Sequence, residues 1–167
     1  MQKIYGSFLV LIICLYVSFN ATAGDLNVVH LDSTWNGKDV PQKGICQRRG
    51  GDGYSPKIKV SKIPSNAASL LFMFTDEDYG NEGGHGGFEI KIPNNSDLIV
   101  PSFNKKLPKG FSGVQTHHCD RCQEYGGSDF YNGPCSGGKM HAYSVKVYAK
   151  NKAGEKLAEG KLALGIY

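Results

Sequence analysis

The sequence predicts an all-β protein with little helix, a sandwich of two antiparallel β-sheets. Three observations carry that expectation. Apolar residues come in short runs, alternating or continuous, bounded by Gly, Pro, Asn or Asp. Glycine (22 residues), tyrosine (9) and phenylalanine (8) are abundant, which suits strands joined by long loops. No stretch spaces its apolar residues as a helix convincingly would.

Residues 1–23 stand apart. Lys3 precedes an apolar run from Ile4 to Phe19, and Ala21-Thr22-Ala23 offers an A-x-A cleavage site, the pattern of a secretory signal peptide. Cys14 follows Ile13, whereas a lipid-anchoring site wants small residues there. The run is short for a spanning helix, which needs about 20 apolar residues, and no later stretch approaches that length. The expectation is a periplasmic or secreted protein with one domain over residues 24–167 and no integral membrane segment after signal removal.

The elements then follow in order. "LNVVHL" (Leu26–Leu31), "KIKV" (Lys57–Val60), "SLLFMFT" (Ser69–Thr75), "GFEIKI" (Gly87–Ile92), "LIV" (Leu98–Val100) and "AYSVKVYA" (Ala142–Ala149) each have the length and pattern of a strand. The last stretch, "KLAEGKLALGIY", is ambiguous. Leu157, Lys161 and Leu164 fit a helix, while Ala158, Gly160, Leu162 and Leu164 fit one face of a strand. The turn "NKAGE" directly before it favours the second arm of a hairpin. Internal repeats and low-complexity linkers are absent. A sandwich hosts many functions, so function has to be sought in the loops.

The formal charge of +4, or +3 once Lys3 leaves with the signal, is too mild to argue for nucleic acid, and none is expected as a partner. Four loops carry unusual chemistry. In "FTDEDYGNEGGHGG" an apolar strand runs into Asp76, Glu77 and Asp78, then into glycines around His85. Carboxylates there can orient a histidine or accept from a ligand amine, and the glycines let backbone N–H groups approach an anion. The segment does not match a complete calcium loop, and a solvated acidic turn is the plain alternative.

In "YNGPCSGGKMHAY" the Gly133-Pro134 turn fixes the loop before His141 and Tyr143, which stand two apart and so face the same way on a strand. An imidazole and a phenol so placed can donate to a phosphate or sulfate, although a lone pair of this kind is usually strand packing. In "THHCDRCQ" the residues His117, His118, Cys119 and Cys122 could ligate zinc, but an exported chain keeps such thiols where disulfides persist, so no metal and no cofactor are expected. Gln123 after Cys122 speaks against haem attachment, and the βαβ context of a thioredoxin site is lacking. In "GICQRRGGDGYSPKIKV" Arg48 and Arg49 could attract an anion, though paired arginines are more often solvated surface. Cys46, Cys119, Cys122 and Cys135 form an even set, which favours two bridges in one of three connectivities.

The order of these pieces is itself informative: a Cys/Gly loop into Ser55-Pro56 and a strand, a strand ending Asp-x-Asp, a Gly/His loop into a strand ending Ile92-Pro93, "LPKG" (Leu107–Gly110), then "YNGPC" and "HAY". This order resembles the phosphatidylethanolamine-binding protein family, which includes the Raf kinase inhibitor proteins and bacterial relatives. "YNGPC…GKMHAYSVKVYA" and "SPKIKV…LLFMFTDED" are its most specific stretches, and the likeness spans almost all of residues 24–167. The resemblance implies a two-sheet antiparallel sandwich with a small anion pocket near one end. It assigns Asp76 and Asp78 to the family's two aspartates, Gly133 and Pro134 to its Gly-Pro turn, and His141 and Tyr143 to its His-x-Tyr. The family's other pocket histidine falls at Gly86 on a direct count, one residue from His85. The family's Asp-Pro-Asp-Ala-Pro becomes "DEDYG" and its Gly-Pro-Cys-Pro-Pro becomes "GPCSGG", so prolines that stiffen the pocket rim are missing.

The expected function is binding without turnover of a small anionic or phosphorylated ligand, such as phosphate or a phospholipid headgroup, since no Ser or Cys nucleophile is visibly paired with a base. Two alternatives come from other classes: a surface inhibitor or interaction protein whose partner is a kinase, protease or host factor, and a metal-dependent hydrolase using Asp76, Asp78, His85 and His141. The resemblance places Cys46 and Cys135 in two separate loops near the pocket. A local Cys119–Cys122 ring would enclose little chain, so the expectation is a crossed pairing from that segment to Cys46 and Cys135.

Overall fold

The computed structural model describes residues 24–80, 82–92, 97–114, 116, 127 and 130–167. The expected signal peptide and the residues His117, His118, Cys119 and Cys122 lie outside the described residues.

Strands make up almost all the regular structure: β1 (Gly24–Asp25), β2 (Asn27–His30), β3 (Ile58–Ser61), β4 (Ser69–Asp76), β5 (Gly87–Lys91), β6 (Leu98–Val100), β7 (Phe111–Gly113), β8 (Ala142–Lys150) and β9 (Lys156–Ile166). Among the described residues, two single turns of 3-10 helix, Gln42–Gly44 and Gln47–Arg49, add to it. The larger sheet has the order β1-β9-β8-β4-β5-β7 and the smaller β2-β3-β6. Among the described residues every pairing between strands is antiparallel except the two-residue contact of β1 with β9, and an isolated bridge of Asp39 to Ile166 is also parallel.

Period-two burial explains how the sheets face each other. On β4, Leu70, Phe72 and Phe74 point inward with at most 2% of their surface exposed, and β8 opposes them with Val145, Val147 and Ala149. Val28, Ile58, Val60 and Val100 come from the smaller sheet. Towards one end the core turns aromatic: Phe72 stacks on Phe88 at 4.7 Å, and Phe74 meets the edge of Tyr131 at 4.7 Å. Truncating Phe72 to alanine would cost about 3–5 kcal/mol, the usual loss for a fully buried aromatic.

The expected strands are found, the last stretch among them, with two differences. The Leu26–Leu31 run is divided, because Leu26 donates its N–H to Glu159 (2.7 Å) beside β9 and the chain then crosses to pair with β3 in the other sheet. Strand β7 was invisible in the pattern, being only three residues long and set by the Pro108 to Phe111 turn. The ambiguous last stretch is a strand, joined to β8 by a turn in which Asn151 Oδ1 accepts from Ala153 and Glu155. A bulge near the start of β8 pairs Tyr143 with Gly165 and Ser144 with Ala163, leaving Leu164 unopposed. Among the described residues no helix is long and apolar enough to cross a membrane.

Candidate functional site

Asp76 occupies the last inward position of β4, two residues beyond Phe74, directly opposite Tyr143 of β8. The strand that builds the core therefore ends in a carboxylate that is only 4% exposed. A buried charge must be fully hydrogen-bonded to persist. Asp76 Oδ2 accepts from His141 Nδ1 at 2.8 Å, and Oδ1 accepts the Asp78 N–H at 3.1 Å.

His141 is held at both backbone and ring. Its N–H and C=O exchange bonds with Tyr167 at 2.9 and 3.0 Å, continuing the β8–β9 ladder by one pair. With Nδ1 committed to Asp76, the ring's remaining function is at Nε2. Tyr79, itself exposed, tilts against the ring at 5.6 Å between centroids.

Tyr143 is buried, and its oxygen accepts the N–H groups of Ser136 (3.0 Å) and Cys135 (3.3 Å). Burial, with Asp76 nearby, pushes its phenol up to about 12, so it stays protonated. The phenol oxygen expected to point at a ligand instead accepts from the rim loop, on the residue directly opposite Asp76.

His85 lies edge-on to Tyr143 at 5.1 Å and donates from Nδ1 to the Asn132 carbonyl at 3.1 Å. Asn132 returns its own N–H to the His85 carbonyl at 3.0 Å. Desolvation holds the His85 imidazole below its ordinary 6.5 against the opposing pull of the Asn132 carbonyl and Asp76, although one side of the residue stays partly open. His85 is therefore a neutral wall of the site. Asp78 is exposed, and its Oδ2 accepts the Ala142 N–H at 2.7 Å. Glu77 faces the other side of the sheet, where the Ser144 hydroxyl and then Lys161 hold its carboxyl below the usual range.

Gly133 and Pro134 form the rim. A methyl group at Gly133 would lie 2.2 Å from the Gly44 carbonyl, so only glycine lets this loop rest on the 44–46 loop. Cys46 donates its N–H to Pro134 at 2.9 Å, and Cys46 is joined to Cys135 by a disulfide. That bridge overturns the crossed pairing expected from the sequence. The loop packing sets the two cysteines 5.3 Å apart at Cα and closes 89 residues of chain directly, which leaves neither available to Cys119 or Cys122.

The structure thus gathers Asp76, Asp78, His85, Gly133, Pro134, His141 and Tyr143 at one end of the sandwich. Sequence reasoning missed Asn132 and Ser136. Both act through the backbone, and Asn132 was an unspecified position between Tyr131 and Gly133, so residue type carried no signal.

With this geometry in place, comparison with known proteins is decisive about family. The family model for phosphatidylethanolamine-binding proteins matches residues 32–164. The chain belongs to the phosphatidylethanolamine-binding protein family. Two solved structures share the family fold at 18% identity. A phosphatidylethanolamine-binding protein homolog from Chlamydia trachomatis aligns with a TM-score of 0.57 over 86% of this chain and 97% of its own. Escherichia coli YbcL aligns with a TM-score of 0.60 over 86% of this chain and 98% of its own. No curated protein sequence matches. The matched span contains every residue of the candidate site except Tyr167.

A separate cleft of about 890 Å³ opens at the opposite end of β4, lined in part by Ser69, Glu89, Lys91, Lys150 and Lys152. Among its lining residues none is a buried, hydrogen-bonded charge. The chemistry, rather than the volume, marks the Asp76 end as the site.

Proposed function

We propose that the protein is an exported, non-enzymatic binding protein whose Asp76–His141 site takes a phosphate-type anion or a phosphorylated headgroup. The observation that carries this reading is the 2.8 Å contact of Asp76 with His141 Nδ1 in a buried network, which leaves Nε2 as the working atom. Asp76 orients the ring through Nδ1. His141 presents Nε2 to the ligand's phosphoryl group, and the amides of Gly137 and Gly138, which find no acceptor among the described residues, can add to it. Nothing in this arrangement pairs a nucleophile with a base, since Ser136 donates to the Tyr167 carbonyl and Cys135 is in a disulfide.

Phosphate and phosphoethanolamine should bind, measured by titration calorimetry, and His141→Ala should abolish binding while retaining the fold. Binding of equal strength by His141→Ala would overturn the assignment.

One observation favours a second reading. Asp76, Asp78 and His141 each place a ligand-type atom within 4.8 Å of the others, as a metal ion would need. However, the two carboxylates already serve the His141 ring and the Ala142 and Asp78 amides. Stoichiometric metal in freshly purified protein would favour the hydrolase.

A further inference from the structure

The turn that follows β4 sets an exposed aromatic ring against His141. Three hydrogen bonds fix that turn to the start of β8: Glu77 donates its N–H to the Ala142 carbonyl at 2.8 Å, Ala142 returns its own N–H to Asp78 Oδ2 at 2.7 Å, and Asp78 donates its N–H to Asp76 Oδ1 at 3.1 Å. A carboxylate oxygen of Asp78 consequently lies within 4.8 Å of a His141 ring nitrogen. Tyr79 comes next, and Gly80, at φ of +67°, turns the chain away behind it. The Tyr79 ring centre is 5.6 Å from that of His141, with the planes tilted by 58°, yet 70% of the residue is open to solvent. A single exposed aromatic residue is ordinary on a surface. This one leans on the ring whose Nε2 is the working atom of the site.

We propose that Tyr79 is a specificity-determining residue of this site: its exposed ring packs against an apolar substituent on the phosphoryl ligand, so that organic phosphates are preferred to inorganic phosphate. This rests on the anion-binding reading of the His141 site. Distance supports it. A ligand oxygen bonded to Nε2 lies about 4 Å from the imidazole centre, and therefore no more than about 10 Å from the centre of the Tyr79 ring whatever its direction. A substituent of a few carbons on the bound phosphoryl group covers that gap and meets the ring with apolar surface. Inorganic phosphate has only polar oxygens to offer it. Charge agrees, because the exposed Asp78 carboxylate in the same turn disfavours an acidic group on the part of the ligand that extends past it.

Inorganic phosphate, butyl phosphate and dibutyl phosphate, titrated by calorimetry, make the test. Butyl phosphate should bind the wild-type protein about three- to tenfold more tightly than inorganic phosphate, the gain expected from a short apolar chain that is partly covered. Tyr79→Ala should remove that gain and leave inorganic phosphate unchanged, while Tyr79→Phe, which keeps the ring, should retain it. The two probes differ in charge by the same amount in every variant, so the change in their ratio reads the Tyr79 contact alone. Dibutyl phosphate separates the sources. A Tyr79-dependent gain for this diester as well supports a lipid headgroup, whereas a gain confined to the monoester supports a free organic phosphate. Equal affinity of the wild type for phosphate and butyl phosphate overturns the proposal, as does a ratio unchanged in Tyr79→Ala. An equal loss of both ligands in Tyr79→Ala also overturns it, since the ring then only steadies His141. If the wild type binds none of the three, the His141 reading itself fails and the proposal falls with it.

Discussion

The two ends of β4 each place an acid near a base, and they behave as different kinds of object. At the Ser69 end, Glu89 accepts from the Ser69 hydroxyl at 2.6 Å and sits 3.7 Å from Lys150, with about a third of both side chains open to water. At the other end, Asp76 is nearly sealed, its partner distance is 2.8 Å, and it accepts from a ring nitrogen and an amide at once. Water competes for the first pair and lowers its worth to at most about 1 kcal/mol. The second cannot lose a member without stranding a buried polar group. Coincidence of an acid and a base is therefore not the mark of a site. Burial with every oxygen used is.

The strongest way to break the contrast is to untie the site end. The Cys46–Cys135 bridge encloses 89 residues, a span for which chain entropy gives a stabilisation of about 4 kcal/mol. Cys46→Ser with Cys135→Ser should lower stability by about that amount in urea unfolding. It should also weaken anion binding, because the rim loses its hold on the 44–46 loop. Non-reducing peptide mapping should show a Cys46–Cys135 peptide. A crossed peptide joining Cys119 or Cys122 to either would contradict the structure.

A smaller but sharper test replaces the acids themselves. Asp76→Ala removes the acceptor of His141 Nδ1 and the Asp78 amide, and should cost about 3 kcal/mol. Glu89→Ala removes a half-exposed partner and should cost less than about 1 kcal/mol. Equal losses at the two ends, measured by denaturant midpoints, would sink the distinction drawn between them.

What the sequence made legible follows the same line. Period-two burial in "SLLFMFTD" and "HAYSVKVYA" is a covalent property of strands, so the core face and the shared direction of His141 and Tyr143 could be read directly. Motif order then brought Asp76 to His141 across 65 residues, a pairing that no local spacing contains. The disulfide was misread because loop entropy ranks connectivities by enclosed chain, whereas the actual choice was made by Gly133 resting on Gly44.

The smallest expected effect concerns His85, which has no counterpart at the Ser69 end. Desolvation lowers its pKa from 6.5 in the folded protein, while Asn132 and Asp76 oppose the shift and His141 adds to it. A histidine of depressed folded pKa binds fewer protons in the native state than in the unfolded chain. Stability is accordingly complete above the unfolded value of 6.5 and is lost as pH falls below it towards the lower folded value. The glutamine variant His85→Gln keeps a polar side chain but does not titrate, so its stability should fall less than that of the wild type between about pH 7 and pH 5. Asp76, His141 and Tyr143, the titratable groups around the ring, are present in both proteins, and the difference between the two profiles isolates His85. Profiles of equal slope would mean that the ring is solvated well enough to charge at no cost, and that His85 is not the neutral wall the geometry makes it.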